Sequence, residues 1–416
     1  MYFYNFYYKG VLIIGFKMQL SKKMLKISPS GTVILAQKAR QLKAEGKDII
    51  ELGEGEPDFN TPEFIIKYAY QSAKNGATKY TSVSGTPELK NKITEKLRKE
   101  NNINYNDNQI VVGAGAKQLI FNALYCSINT GDEVIIPSPY WVSYPEMVKI
   151  ADGIPIILNC DLKNNFKISL EKLVEVINPK TKWLILNSPG NPSGAVYTWD
   201  ELLALSQVLI NYPQINILCD DIYEKIVFDG KKFHTLAEVA PNLIDRILTV
   251  NGFSKSYAMT GWRIGYAAGH FELIEAMIKL QGQSTTNAST IGQEAAIAAL
   301  DAEQNFLNDW LKMYTIRRDI VSNSLGNSFK DSFNNPEGAF YHFISCEALV
   351  GKKFNGINTI NNDRDFCQLL LEKYGVAVVP GSEFGTPGYF RLCFAKSEDD
   401  LKNACQRIND FLKLLN

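Results

Sequence analysis

The chain has 416 residues, 45% of them hydrophobic and 21% charged, a balance that suits a soluble protein with one large and one smaller globular unit. Lys+Arg and Asp+Glu number 44 each, so the formal net charge is zero and no basic excess is available to hold nucleic acid. Seven cysteines without a CxxC pair argue against a disulfide framework and for a reducing, cytoplasmic setting, and three histidines without ligand spacing argue against a metal site.

Residues 1–17 are rich in Tyr and Phe, and the apolar run at 11–16 is far short of the roughly 20 residues that span a bilayer. With no basic leader and no small-residue cleavage site, the segment is a poor signal peptide, and no membrane partner is expected. The natural start is expected at Met18, with residues 1–17 an upstream read-through or a disordered arm.

Ser28-Pro29-Ser30-Gly31-Thr32 reads as a capping turn before a helix over 33–46. Gly53-Glu54-Gly55-Glu56-Pro57-Asp58-Phe59 reads as an irregular loop with open backbone amides. Helices follow over 62–74 and from Pro87 to 100. A strand at 109–112 runs into Gly113-Ala114-Gly115-Ala116-Lys117-Gln118 and a helix at 119–127, an order that aims backbone N–H groups at a phosphate. GxGxxG is incomplete there, so it is not a dinucleotide fingerprint. The strand at 133–137 leads to Pro139-Tyr140-Trp141, whose indole could lie flat on a heteroaromatic ring or pack in the core.

Strands at 154–158 and 182–186 come next, and the second ends in Asn187-Ser188-Pro189-Gly190-Asn191-Pro192, a turn that lets the Asn191 amide face a ligand. After a helix over 198–211, an apolar strand from 215 ends at Asp220 and is followed by Tyr223. A carboxylate at the end of such a strand needs a partner, and a protonated pyridine nitrogen would be one. The strand at 246–250 ends near Lys255, whose burial would favour its neutral, nucleophilic form. Ser254 and Arg263 flank it with a hydroxyl and a forked cation suited to phosphate. A Schiff-base lysine beside a phosphate clamp is what pyridoxal phosphate requires. Further on, Arg391 lies in an apolar strand over 389–394, where a buried guanidinium needs an anion: an internal carboxylate or a bound one. Strand–helix alternation predicts an α/β fold with a mostly parallel sheet, whose ligands sit at the strand C-termini.

Ser254-Lys255-Ser256-Tyr257-Ala258-Met259-Thr260-Gly261-Trp262-Arg263-Ile264-Gly265 resembles the lysine motif of class I and II aminotransferases, which are fold type I pyridoxal-phosphate enzymes. The resemblance extends over residues 28–414, and Tyr140-Trp141-Val142-Ser143-Tyr144-Pro145 is closest to the bacterial aspartate-using subgroup Ib. It implies an arm at 1–27, a large cofactor domain at 28–325 whose first segment joins the small domain, and a small α/β domain at 326–416. It implies that Lys255 is the catalytic lysine and that Asp220, Tyr223, Asn191, Trp141, Gly115, Ala116, Lys117, Ser254 and Arg263 hold the cofactor. Gly55, Trp141, Asn191, Arg391 and Lys117 would face the substrate, Arg391 at its α-carboxylate. Tyr80 would cross to a partner subunit's cofactor phosphate, which makes the expected enzyme a homodimer with shared sites.

The expected reaction moves the amino group of aspartate to 2-oxoglutarate. Alternatives are transamination of prephenate to arogenate, another class I aminotransferase activity, a pyridoxal-phosphate C–S lyase, or an idle binding module. Cys219 and Asp221 depart from the family's usual serine and glutamate around Asp220.

Overall fold

The computed structural model describes residues 3–8, 11–16, 18, 20–29 and 31–416, the first two stretches as backbone only. Phe3–Tyr8 pairs antiparallel with Val11–Phe16, so the described part of residues 1–17 is a hairpin, and Lys22–Lys26 forms a short 3-10 helix after it. Runs of Tyr, Phe, Val and Ile favour extended backbone, which accounts for the hairpin. The remainder of 1–17 lies outside the described residues.

The centre is a seven-stranded sheet. Its strands are β1 (Ile110–Gly113), β2 (Glu133–Ser138), β3 (Ile154–Asn159), β4 (Thr181–Asn187), β5 (Asn216–Asp220), β6 (Ile247–Gly252) and β7 (Gly265–Ala268). Their order across the sheet is β1-β7-β6-β5-β4-β2-β3. Only β7 runs against its neighbours, so the sheet is mostly parallel, as expected.

Strand side chains alternate between two buried faces, as the two-residue period requires. Leu184, Leu186, Ile217 and Ile247 point to a core built with Glu63–Lys74, Pro87–Asn101, Trp199–Leu209 and Thr290–Asp301. Trp183, Ile185, Leu218 and Leu248 point to the opposite core, under Ala116–Ser127, Ser143–Ile150 and Phe271–Ser284. The helix Ser143–Ile150 carries Pro145 in its first turn, where a proline forfeits no hydrogen bond.

A third core sits in the C-terminal part. Tyr341–Ser345, Tyr389–Cys393 and Val379–Pro380 form a small sheet covered by Asp363–Tyr374 and Glu398–Lys413. Tyr314, Val321 and Leu325 of the helix Asn305–Leu325 pack into it, as does Leu52. The extended stretch from Val376 to Pro380 divides: Val376–Ala377 pairs with Ile50–Glu51, while Val379–Pro380 joins Tyr389–Cys393. Among the described residues, no helix is long and apolar enough to cross a membrane.

Candidate active site

Strands β4, β5 and β6 are adjacent, and their C-terminal ends are in register, with Asn187 opposite Asp220 and Asp220 opposite Val250. Side chains leaving these ends therefore converge on one cleft of about 540 Å³, a size suited to a small ligand.

At the end of β5, Asp220 is 5% exposed. Its Oδ2 accepts from the Tyr144 hydroxyl at 2.6 Å, and Oδ1 accepts from the Ile222 amide at 3.4 Å. Burial raises its pKa to about 6, against the opposing pull of these hydrogen bonds and of Lys255. A cation bound against it would hold the carboxylate ionised. The turn after β4 is braced to the same place: Asn187 Nδ2 donates to the Asp220 carbonyl at 2.8 Å, and Asn187 Oδ1 accepts from the Asn191 amide at 2.9 Å.

Lys255 stands in the turn after β6. Its Nζ donates to the Gly55 carbonyl at 2.5 Å, a neutral partner. Burial lowers its pKa to about 8. If Lys255 is the attachment point that the resemblance implies, cofactor-free protein should capture pyridoxal phosphate there faster as pH rises, levelling off above about pH 8. Absorbance-monitored uptake checks this, and a rate still climbing toward pH 10, the ordinary lysine range, would contradict it.

Within the same turn, Ala258 and Arg263 adopt φ of 50° and 58°, a region unfavourable for side-chain-bearing residues and frequent at functional sites. The Arg263 fork is held by carbonyls alone, those of Thr260 at 2.8 Å and Ala114 at 3.2 Å. Gly115, with φ 85°, lies beneath it; a Cβ there would come 2.7 Å from Arg263 Nη2. Burial and the nearby Arg263 both lower the pKa of Lys117, whose Nζ sits 4.7 Å over the Trp141 ring. Two cations held close with no acid between them make a site for an anion.

On the opposite wall, Arg391 is 3% exposed. It donates to Asn191 Oδ1 at 2.9 Å and to the Gly53 carbonyl at 2.5 Å, and its Nε has no partner among the described residues. The internal carboxylate that the sequence left open is not among these partners, so the guanidinium retains capacity for a bound anion. The Tyr223 and Tyr341 hydroxyls share a hydrogen bond of 2.7 Å beside it.

Eleven of the expected residues line this cleft: Gly55, Ala116, Lys117, Trp141, Asn191, Asp220, Tyr223, Ser254, Lys255, Arg263 and Arg391. Gly115 supports Arg263 from below, and Tyr80 lies outside the cleft, 88% exposed. Twelve lining residues went unassigned in the sequence, among them Arg40, Tyr144, Ile222 and Tyr341. Tyr144 stands in a run of aromatics whose inward member only the helix Ser143–Ile150 selects, and Arg40 arrives on the helix Gly31–Ala44, 4.0 Å from Glu54.

The cleft offers a half-buried lysine of lowered pKa, a buried carboxylate with no cation bonded to it, a flat indole and two cations without acid partners. That set fits pyridoxal phosphate, with its aldehyde, protonated ring nitrogen, aromatic face and phosphate. The family model for aminotransferase class I and II matches residues 47–408. A Rickettsia bellii protein named "Probable aspartate/prephenate aminotransferase" is 50% identical over 389 residues, covering 94% of this chain and 98% of the relative. The aspartate aminotransferase of Rhizobium meliloti superposes with a TM-score of 0.93 at 46% identity, over 96% of this chain and 100% of that one. The Thermus thermophilus aspartate aminotransferase with maleate gives 0.87 at 37% identity, over 95% and 100%. The chain belongs to the class I and II aminotransferases, enzymes that use pyridoxal phosphate.

Proposed function

We propose that this chain is a cytoplasmic aspartate aminotransferase, passing the amino group of L-aspartate to 2-oxoglutarate to give oxaloacetate and L-glutamate. The observation that carries the reading is one cleft holding Lys255 and Asp220 together with an Arg391 bonded only to neutral groups. Bound there, pyridoxal phosphate would supply an aldehyde that condenses with amines and a ring that takes up an electron pair.

The chain's own residues would do the rest. Arg263, Ser254 and the turn at 113–118 bind the phosphate, Trp141 covers one ring face, and Asp220 holds the ring nitrogen protonated. Asn191 and Tyr223 orient the ring by its phenolic oxygen. Arg391 grips the substrate's α-carboxylate, and Lys255 Nζ takes and returns the proton at the substrate's Cα. Tyr80, exposed on one subunit, would reach the phosphate of the other in a homodimer. The domain division at about residue 325 is proposed on the same basis, with the helix Asn305–Leu325 shared between the two units.

Selection of an acidic substrate needs a second cation, which Lys117, a lining residue of the same cleft, would supply. Lys117→Ala should lower kcat/KM for aspartate by roughly 10- to 100-fold, as the loss of one charge-assisted contact implies, and lower alanine activity far less. If Lys117 serves only the phosphate, both substrates suffer equally and cofactor affinity drops as well; kinetics of both substrates with cofactor titration separates these accounts.

Transamination of prephenate to arogenate is a second reading, favoured by the name of the Rickettsia bellii relative and by the length tolerance of a flexible lysine stem. A panel of amino donors against 2-oxoglutarate and prephenate tests both. Transfer from aspartate no faster than from alanine would overturn the first.

A further inference from the structure

Residues 53–59 form a loop that touches both halves of the cleft. The Gly53 carbonyl accepts from Arg391, and the Gly55 carbonyl accepts from Lys255, each at 2.5 Å. Glu56 bonds Thr260, whose carbonyl holds Arg263. Carbonyl acceptors aim these cations without neutralising them, which leaves the charge for a ligand.

A Cβ on Gly55 would collide with the Tyr341 hydroxyl. Glycine is therefore required there, and it brings backbone freedom. The upstream end is tied by Leu52, whose amide donates to the Ala377 carbonyl at 2.9 Å and whose carbonyl accepts from the Cys393 amide at 2.8 Å. At the downstream end, Asp58 receives both arms of Arg317, at 2.7 and 2.8 Å. Arg317 is 5% exposed, and its guanidinium lies 4.9 Å from the centre of the Phe59 ring, which stacks on Trp310 at 4.5 Å. Arg317 and Trp310 both project from the helix Asn305–Leu325, so the anchor is mounted on a rigid element. Neither Arg317 nor Asp58 lines the cleft.

We propose that Arg317 is a positioning residue: its fork on Asp58 sets the loop whose Gly53 and Gly55 carbonyls aim Arg391 and Lys255. The inference rests on the roles proposed above for those two residues.

Arg317→Met, Arg317→Lys and Asp58→Asn are compared as cofactor-loaded protein, with rates expressed per loaded site and Arg391→Ala alongside. Arg317→Met and Asp58→Asn should each lower kcat/KM for aspartate roughly 10- to 100-fold, mostly through KM, the size expected from displacing positioned groups. Cofactor affinity should fall far less than kcat/KM, since Arg263 is also held by the Ala114 carbonyl, outside this loop. Arg317→Lys should recover part of the loss, and combining Arg317→Met with Asp58→Asn should add little, because either change already breaks the pair.

Normal KM and kcat per loaded site in both Arg317→Met and Asp58→Asn, with only a lowered melting temperature, would overturn the inference. If Arg317→Met fails to fold, Asp58→Asn decides, approaching the same pair from the loop. If Arg391→Ala raises KM while the anchor variants do not, this inference alone falls. An unchanged KM in Arg391→Ala would instead remove the proposed reading of the site.

Discussion

Lys255→Ala should still take up pyridoxal phosphate while losing transamination by roughly 1,000- to 1,000,000-fold, the range that follows removal of a residue acting as both nucleophile and proton carrier. Binding should survive because Arg263, Ser254, the turn at 113–118 and Asp220 do not depend on Lys255 for their places. Arg263 is held by the Thr260 and Ala114 carbonyls, and Asp220 by Tyr144 and the Ile222 amide. Lys255→Arg is the informative companion. It preserves a cation opposite the Gly55 carbonyl but never becomes neutral near pH 8, so it should be as inactive as the alanine variant. Single-turnover assays of both, with cofactor retention read by absorbance, check the expectation. Near-normal turnover in either would remove Lys255 from the chemistry.

Asp220→Ala should form the lysine attachment yet lose roughly 100- to 1,000-fold in kcat, the scale associated with deleting one preorganised electrostatic partner. Alanine also strips the Tyr144 hydroxyl of its acceptor, which mixes a packing loss with the loss of charge. Asp220→Asn separates them: the amide oxygen can still accept from Tyr144, but no anion remains beside the ring nitrogen. If the charge is what matters, the two variants should share most of the kcat loss at saturating aspartate, and only alanine should melt early. An asparagine variant with unchanged kcat would show that the buried charge is not used. Because burial holds the free carboxyl near pH 6, cofactor affinity of the unsubstituted protein should also weaken as pH falls below about 6.

Lys255, Asp220 and Asn191 were legible as candidates because each sits at or after the end of an apolar strand, where a charged or amide side chain stands out against its neighbours. Lys255 follows β6, Asp220 closes β5 and Asn191 follows β4. Tyr144 and Tyr341 were not legible, because a tyrosine among aromatics and apolar residues looks the same whether its hydroxyl faces a core or a ligand. Arg317 and Asp58, 259 residues apart, carry no local signature of their pairing at all.

By itself, then, the sequence determined the class of fold and singled out the candidate reactive groups: hydrophobic periodicity dictates strand and helix, and a buried lysine or carboxylate announces itself by its cost. Tertiary structure alone decided which groups meet. The order β6-β5-β4 sets three strand ends side by side, and the Gly53 and Gly55 carbonyls reach Arg391 and Lys255 across more than a hundred residues of chain. Such contacts depend on how sheets and helices pack over long separations. Each is a small net free energy between groups whose local sequences are indifferent to one another.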